Sequence, residues 1–326
     1  VCGYHTRRNE VTSQARKKVS KVRFEDILKV ARRVSRAHRP RVAVAGAHES
    51  IVLDVLSDAV AQGFAAPLLY GDESKIRRIA ARQRLSLDGC EIIDVPDPTR
   101  SARMAAEAAS SGQADVLMKG NVTTATIMKA ALDDDIGIKS DGLMSHVAVF
   151  EVDAFKRIMF MSDGGIVIEP DLEQKAEIVR NAVKVAVALG VKTPKVAMLS
   201  CIEVVNTRMK SAVEAAIISK MADRGQIPGA IVDGPFALDN AVSIEAARQK
   251  GVKSPVAGVA DILIVGHADV GNVFYKTLTY FCGQQAKTAG LIVGGIVPMV
   301  AVSRADTYEA RLNSIAVACV LSECRE

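Results

Sequence analysis

From about residue 24 onward, apolar runs of four to six residues alternate with helically spaced stretches. RVAVAG (41–46) predicts a short buried strand, Ser50 to Gln62 a helix, and APLLYG (66–71) a second strand. EIIDV (91–95), an Ala-rich helix from Arg100 to Ser110, DVLMK (115–119) and a helix from Thr124 to Leu132 continue the rhythm. Repeated units of this kind build a mostly parallel sheet covered by helices on both faces, so the fold class is α/β. After DDDIGIKSDG (133–142), HVAVFEV (146–152) and RIMFMSD (157–163) follow each other across a short connection and predict an antiparallel hairpin. Pro170 and Asp171 then open a helix whose stripe is Ile178, Val179, Ala182, Val183, Ala186 and Val187, and Gly190 ends it. KVAMLS (195–200), AIVDGP (230–235), DILIVG (261–266) and LIVGGIVPMV (291–300) each predict a later strand. No internal repeat or low-complexity linker interrupts the pattern.

A chain of 326 residues exceeds what one core ordinarily spans, which suggests two lobes and a cleft. Hydrophobic residues at 49% and charged residues at 24% exclude a disordered or fibrous chain. No apolar run reaches the ~18 uncharged residues of a membrane helix, so a soluble protein without a membrane partner is expected. The net charge of +5 is unevenly placed. Residues 1–41 hold 13 Lys/Arg against 3 Asp/Glu, and the remainder 29 against 34. The basic leader, residues 1–23, is a candidate disordered segment, open to reading as a transit peptide, a nucleic-acid arm or an added segment. Aromatic platforms and further basic clusters are not evident, so no nucleic-acid partner is expected. The cysteines stand at 2, 90, 201, 282, 319 and 324 without a C-x-x-C pair, which fits a reducing, cytoplasmic setting. Cys201, Cys282 and Cys319 fall in apolar surroundings and read as small buried hydrophobes.

Ligands of open α/β sheets gather at the C-terminal ends of strands, so polar residues directly after an apolar run are the candidates for chemistry. Lys119-Gly120-Asn121-Val122-Thr123-Thr124 lies between strand and helix. There Gly120 permits a tight turn, while Asn121, Thr123 and Thr124 either cap the helix or meet an anion at its N-terminus. Asp233-Gly234-Pro235 reads as a turn or a ligand contact, and so do Asp269 and Asn272 around Gly271. Ser303, Arg304 and Asp306 follow the last apolar run; Ser303-x-x-Asp306 has the shape of a capping box, which does not require Arg304. A guanidinium beside a helix N-terminus is a good phosphate clamp. His146 and His267 lack neighbours at metal-ligand spacing, so no metal is expected. Neither G-x-S-x-G nor a strand-borne G-x-G-x-x-G is present, which weakens triad hydrolysis and Rossmann dinucleotide binding. The residues by themselves point to an anion-binding α/β enzyme.

VLMKGNVTT, SHVAVFEV, EPDLEQKAEIVRNAVKVA, KMADRGQIPGAIVDGPFALDNAVS, PVAGVADILIV, GNVFYK and VPMVAVSRADTYEARLNSIA occur in this order. Together they closely resemble the phosphate acetyl/butyryl transferases, the phosphate butyryltransferase branch in particular, from about Phe24 to Leu321. The resemblance implies reversible exchange of CoA for inorganic phosphate on a short acyl group. Acyl-CoA, phosphate and acyl phosphate would be the partners, CoA a substrate, and no cofactor would be tightly bound. It also implies an isocitrate/isopropylmalate dehydrogenase-like fold of two α/β lobes, one formed by 1–142 with 296–326 and the other by 143–295, in a homodimer or higher homo-oligomer.

Catalysis by such an enzyme needs a base or positive charge for the CoA thiol, whose pKa near ~8.5 leaves it mostly protonated at neutral pH. It also needs donors to the tetrahedral oxyanion and the departing phosphate. By resemblance, Ser303 donates to the carbonyl oxygen, Arg304 holds phosphate, Asp306 is the candidate base with Glu309 as the alternative, and Lys129 contacts phosphate or CoA. Val167, Gly266 and Asp269 depart from the common butyryl pattern and leave acyl-chain preference open. Acetyl specificity and a non-catalytic acyl-CoA or phosphate sensor are the alternatives. A decarboxylating NAD-dependent dehydrogenase would require aspartate and arginine clusters that the chain does not offer.

Overall fold

The structure, a computed structural model, describes residues 21–35, 38–139 and 142–324. The first half contains α1 (Phe24–Val34), β1 (Arg41–Ala45), α2 (Ser50–Ala61), β2 (Ala66–Gly71), α3 (Glu73–Gln83), β3 (Glu91–Asp94), α4 (Pro98–Ser110), β4 (Val116–Lys119) and α5 (Thr124–Ala131). The hairpin β5 (Ser145–Val152) and β6 (Ile158–Ser162) leads into α6 (Leu172–Ala188), β7 (Lys195–Leu199), α7 (Lys210–Asp223) and β8 (Ile231–Phe236). Two short helices, α8 (Leu238–Val242) and α9 (Ile244–Gln249), precede β9 (Ile262–Ile264) and α10 (Ala268–Tyr280). A 3₁₀ turn, β10 (Ala286–Val293), β11 (Met299–Val300) and α11 (Tyr308–Ser322) complete the chain.

The eleven strands of the described residues belong to one sheet, in the order β3-β2-β1-β4-β11-β10-β5-β6-β9-β7-β8. The expected hairpin is present, with β5 antiparallel to β6. β10 is antiparallel to both β5 and β11, and every other adjacent pair is parallel. LIVGGIVPMV is therefore not one strand. Gly294 turns the chain at φ 96°, and a Cβ there would sit 2.1 Å from the Leu143 carbonyl oxygen. That turn sends β11 back between β10 and β4, where it runs parallel to β4.

Alternation along the strands sorts side chains onto the two faces. Val42 and Val44 of β1, Val147 and Val149 of β5 and Ile158 and Phe160 of β6 enter one continuous core with α1, α2, α6, α7 and α11. On the opposite face the core is split. Ala43, Ala45 and Leu117 pack under α4 and α5, whereas Ala148, Phe150, Met159 and Met161 pack under α8 and α10. The seam between these two clusters lies over the middle of the sheet, where parallel pairing gives way to antiparallel.

Local signals account for the helix ends. Asp171 caps α6 through a reciprocal pair of bonds with Gln174, and Asp72 and Asp97 cap α3 and α4. Residues 1–20 of the basic leader lie outside the described residues. Its last residues are anchored: the Val22 carbonyl accepts from Ile158 N at 2.8 Å, and the Glu151 carboxylate accepts from Arg23 Nε and Phe24 N, both at 2.8 Å. Of the cysteines expected to be buried, Cys319 is, but Cys201 is exposed in the loop after β7 and Cys282 is partly exposed beyond α10. No helix of the described residues is long and apolar enough to cross a membrane.

Candidate active site

A cavity of about 500 Å³ opens at the seam. Lys119 at the end of β4, Val122 to Thr124 at the start of α5, and Ala301 to Arg304 with Asp306 beyond β11 form one side of its lining. His146 of β5, the Gly164–Ile166 loop, Gly290 and Ile292 of β10, and Asn272, Tyr275 and Lys276 of α10 complete it. The strand order switches between β1 and β4, and α/β sheets open a crevice beyond the carboxyl ends of their strands at such a switch.

The segment 303–306 is a turn with its own internal bonds. Ser303 N donates to Asp306 Oδ2 at 2.8 Å, Asp306 N to the Ser303 carbonyl at 3.1 Å, and Ala305 N to Ser303 Oγ at 3.3 Å. This corrects the capping-box reading of Ser303-x-x-Asp306, because α11 begins later and is capped by Thr307, whose hydroxyl accepts from Ala310 N. From behind, the buried Arg311 guanidinium donates to the carbonyls of Ser303 (3.1 Å), Arg304 (3.0 Å) and Asp306 (3.3 Å). Three carbonyls gathered by one fork hold the turn in a fixed shape. In front, Lys276 Nζ lies 3.2 Å from Asp306 Oδ1 and 5.3 Å from the centre of the Tyr275 ring.

The opposite wall depends on Asp163. Its carboxylate accepts from Gly165 N (2.6 Å), Ile166 N (2.8 Å), His146 N (2.9 Å) and Val167 N (3.3 Å), which shapes the loop against β5. Gly271 lets α10 approach this loop, since a Cβ there would fall 2.1 Å from the Asp163 carbonyl oxygen. His146 Nδ1 and the Tyr275 hydroxyl are buried without a hydrogen-bond partner among the described residues. Burial holds the His146 imidazole below its ordinary value, outweighing the pull of Asp163 and Asp306, and pushes the Tyr275 phenol up. Lys119, Lys276 and Arg304 against Asp306 leave the cavity with excess positive charge, suited to a dianion. Among the described residues no three His, Cys, Asp or Glu side chains converge as a metal set.

The phosphate acetyl/butaryl transferase family model matches residues 99–319, a span that contains the whole of this lining. The chain belongs to that family. It is 44% identical to the phosphate butyryltransferase of Clostridium beijerinckii over 299 residues, covering 92% of this chain and 97% of the relative. It is equally, 44%, identical to the phosphate acetyltransferase of Thermotoga maritima over 289 residues, covering 89% and 97%. Its fold matches the crystal structure of a branched-chain phosphotransacylase from Enterococcus faecalis with a TM-score of 0.77 and 32% identity, over 87% of this chain and 99% of that one.

The cavity brings together six of the expected residues: Ser303, Arg304, Asp306, Thr123, Thr124 and Asn272. The others lie elsewhere. Gly120 is buried where a Cβ would stand 2.5 Å from the Gly46 carbonyl oxygen, so it serves the close approach of two loops. Asn121 and Lys129 are exposed outside the lining, and Thr123 spends its hydroxyl on the cap of α5 by accepting from Thr126 N. Asp233 accepts from Gly234 N on β8, the far edge strand, and Asp269 is exposed beside His267. Glu309 is exposed and does not line the cavity.

From sequence, Lys119 was named only as the start of its stretch and His146 only as an unsupported metal ligand, while Tyr275, Lys276 and Arg311 were not singled out. Lys119 and Lys276 sit inside the quoted blocks VLMKGNVTT and GNVFYK, Lys119 next to Gly120 and Lys276 one helical turn after Asn272. Arg311 announces itself as a charge on the buried stripe of α11, between Ala310 and Ser314.

Proposed function

We propose that the protein transfers a short acyl group reversibly between CoA and inorganic phosphate, with butyryl preferred to acetyl. The turn that presents Ser303, Arg304 and Asp306 to one cavity carries this reading. The thiolate sulfur of CoA attacks the carbonyl carbon of the acyl phosphate and the C–S bond forms. The tetrahedral oxyanion then collapses, and phosphate leaves with the electron pair of the broken C–O bond.

Ser303 donates to that oxyanion and Arg304 holds the phosphate, where one well-placed donor contributes on the order of 10²- to 10³-fold. Asp306 is the proposed base. Its carboxylate has about four acceptor positions, and Ser303 N and Lys276 occupy two, so room remains for the thiol proton. Lys276 keeps that carboxylate company and adds positive charge where the thiolate forms. The two-lobed, isocitrate/isopropylmalate dehydrogenase-like division into 1–142 with 296–326 and 143–295 belongs to the same proposal, as do the homodimer and the cytoplasmic setting.

Equal identity to a butyryl and an acetyl enzyme keeps acetyl specificity as a second reading. Thiol release from acetyl-, propionyl-, butyryl- and isobutyryl-CoA, with and without phosphate, separates them. Phosphate-dependent release fastest with butyryl-CoA is expected. Fastest release from acetyl-CoA selects the second reading, release without phosphate makes the protein a thioesterase, and no release from folded protein leaves the sensor.

A further inference from the structure

Lys119 ends β4 in the middle of the sheet, and the residue is 3% exposed. Val300 of β11 is in register with Met118, so the chain that continues into Ser303 and Arg304 leaves the sheet beside Lys119. The ammonium lines the cavity, yet among the described residues it makes no hydrogen bond and no ion pair. The stem is enclosed while the ammonium opens onto the cavity and is not among the buried atoms left without a partner, so a cation is presented to whatever enters that space. The carboxylates whose charge reaches it, Glu49 and Asp306, are not within bonding distance, and Asp306 is already bonded to Lys276 and Ser303 N. Burial holds the Lys119 amine below the ordinary lysine range, with Arg311 and Arg304 acting in the same direction. A dianion entering this space would supply the missing partner.

We infer that Lys119 is a substrate-binding residue that grips the phosphate, as inorganic phosphate or as the phosphoryl end of the acyl phosphate, beside Arg304. This rests on the transferase reading and adds a residue that neither the helix N-terminus nor the serine–arginine turn requires. The cation is needed in its protonated form, so phosphate binding weakens as pH rises through a value below that of an ordinary lysine.

The test uses Lys119→Met and Lys119→Arg, with inorganic phosphate as the probe in two assays: the KM for phosphate in thiol release, and the phosphate-induced rise in Tm. Lys119→Met is expected to raise the phosphate KM about 10- to 100-fold, to leave the butyryl-CoA KM within about threefold, and to abolish most of the Tm rise. Its Tm without phosphate should stay within about 2 °C of the wild type, since the lost ammonium faces the cavity and holds no bond to the protein. Lys119→Arg should restore phosphate binding and remove its alkaline loss, because guanidinium stays charged. If Lys119→Met does not fold, the Arg variant's pH profile decides alone, and an alkaline loss identical to the wild type overturns the proposal. An unchanged phosphate KM and Tm rise in Lys119→Met also overturn it, even if wild-type turnover is phosphate-dependent. Conversely, a Lys119-dependent Tm rise in a wild type without turnover upholds the anion site and defeats the transferase reading.

Discussion

Arg311→Met removes the clamp behind the 303–306 turn. Arg311 is 1% exposed, and its guanidinium makes three bonds to backbone carbonyls, two at 3.0–3.1 Å and one at 3.3 Å. Each charge-assisted bond contributes roughly 1.5–3 kcal/mol, and methionine offers its carbonyl neighbours nothing in exchange. The three act as one unit, and methionine also relieves the cost of a buried cation, so the net loss is about 3–5 kcal/mol rather than their sum. In a chain of this length that lowers Tm by roughly 4–7 °C. A turn freed by about 1 Å also misplaces Ser303 and Arg304, which costs on the order of 10²-fold in kcat/KM. Arg311→Lys keeps the charge but not the fork, and should fall between the two. Calorimetry and phosphate-dependent thiol release measure both effects. A Tm within about 2 °C of wild type together with kcat/KM within about twofold would refute the clamp.

Ser303→Ala and Arg304→Ala should each lower kcat/KM by at least ~10²-fold while Tm moves by no more than about 2 °C, because neither side chain is in the core. Near-normal turnover in both would reduce the turn to a structural connection. His146 gives a stability signature: its buried imidazole resists a proton that the unfolded chain accepts near pH 6.5. Stability from this group is complete above that pH and is lost as pH falls below it toward the lowered folded value. The Tm should therefore drop between roughly pH 7.5 and 5.5, and His146→Gln should shrink that drop; an equal drop in the variant would contradict the assignment.

Much of the fold is local in origin and was legible. APLLYG matches β2 to the residue, the hairpin stands where two strand patterns follow each other, and Asp171 caps the helix it was expected to open. LIVGGIVPMV was misread because its apolar run is unbroken, although Gly294 inside a strand pattern was the signal of a reversal. Strand order was beyond reach, since β11 enters between β4 and β10 through pairing across more than 180 positions of sequence. The same limit shaped the site. The rule that polar residues follow strands found Ser303, Arg304, Asp306 and Asn272, which end at the seam, and it selected Asp233 equally, which ends at the sheet's far edge. Lys119, His146, Tyr275 and Lys276 come from three separate elements, β4, β5 and α10, and meet only once those elements are packed.

The most direct test of the central claim follows phosphorus by ³¹P NMR in a mixture of the purified protein, butyryl-CoA and inorganic phosphate. The account predicts that the inorganic phosphate signal is converted into an acyl phosphate signal in step with the free CoA thiol, one for one, and that added CoA reverses the conversion. Thiol appearing while the phosphate signal stays unchanged would contradict it.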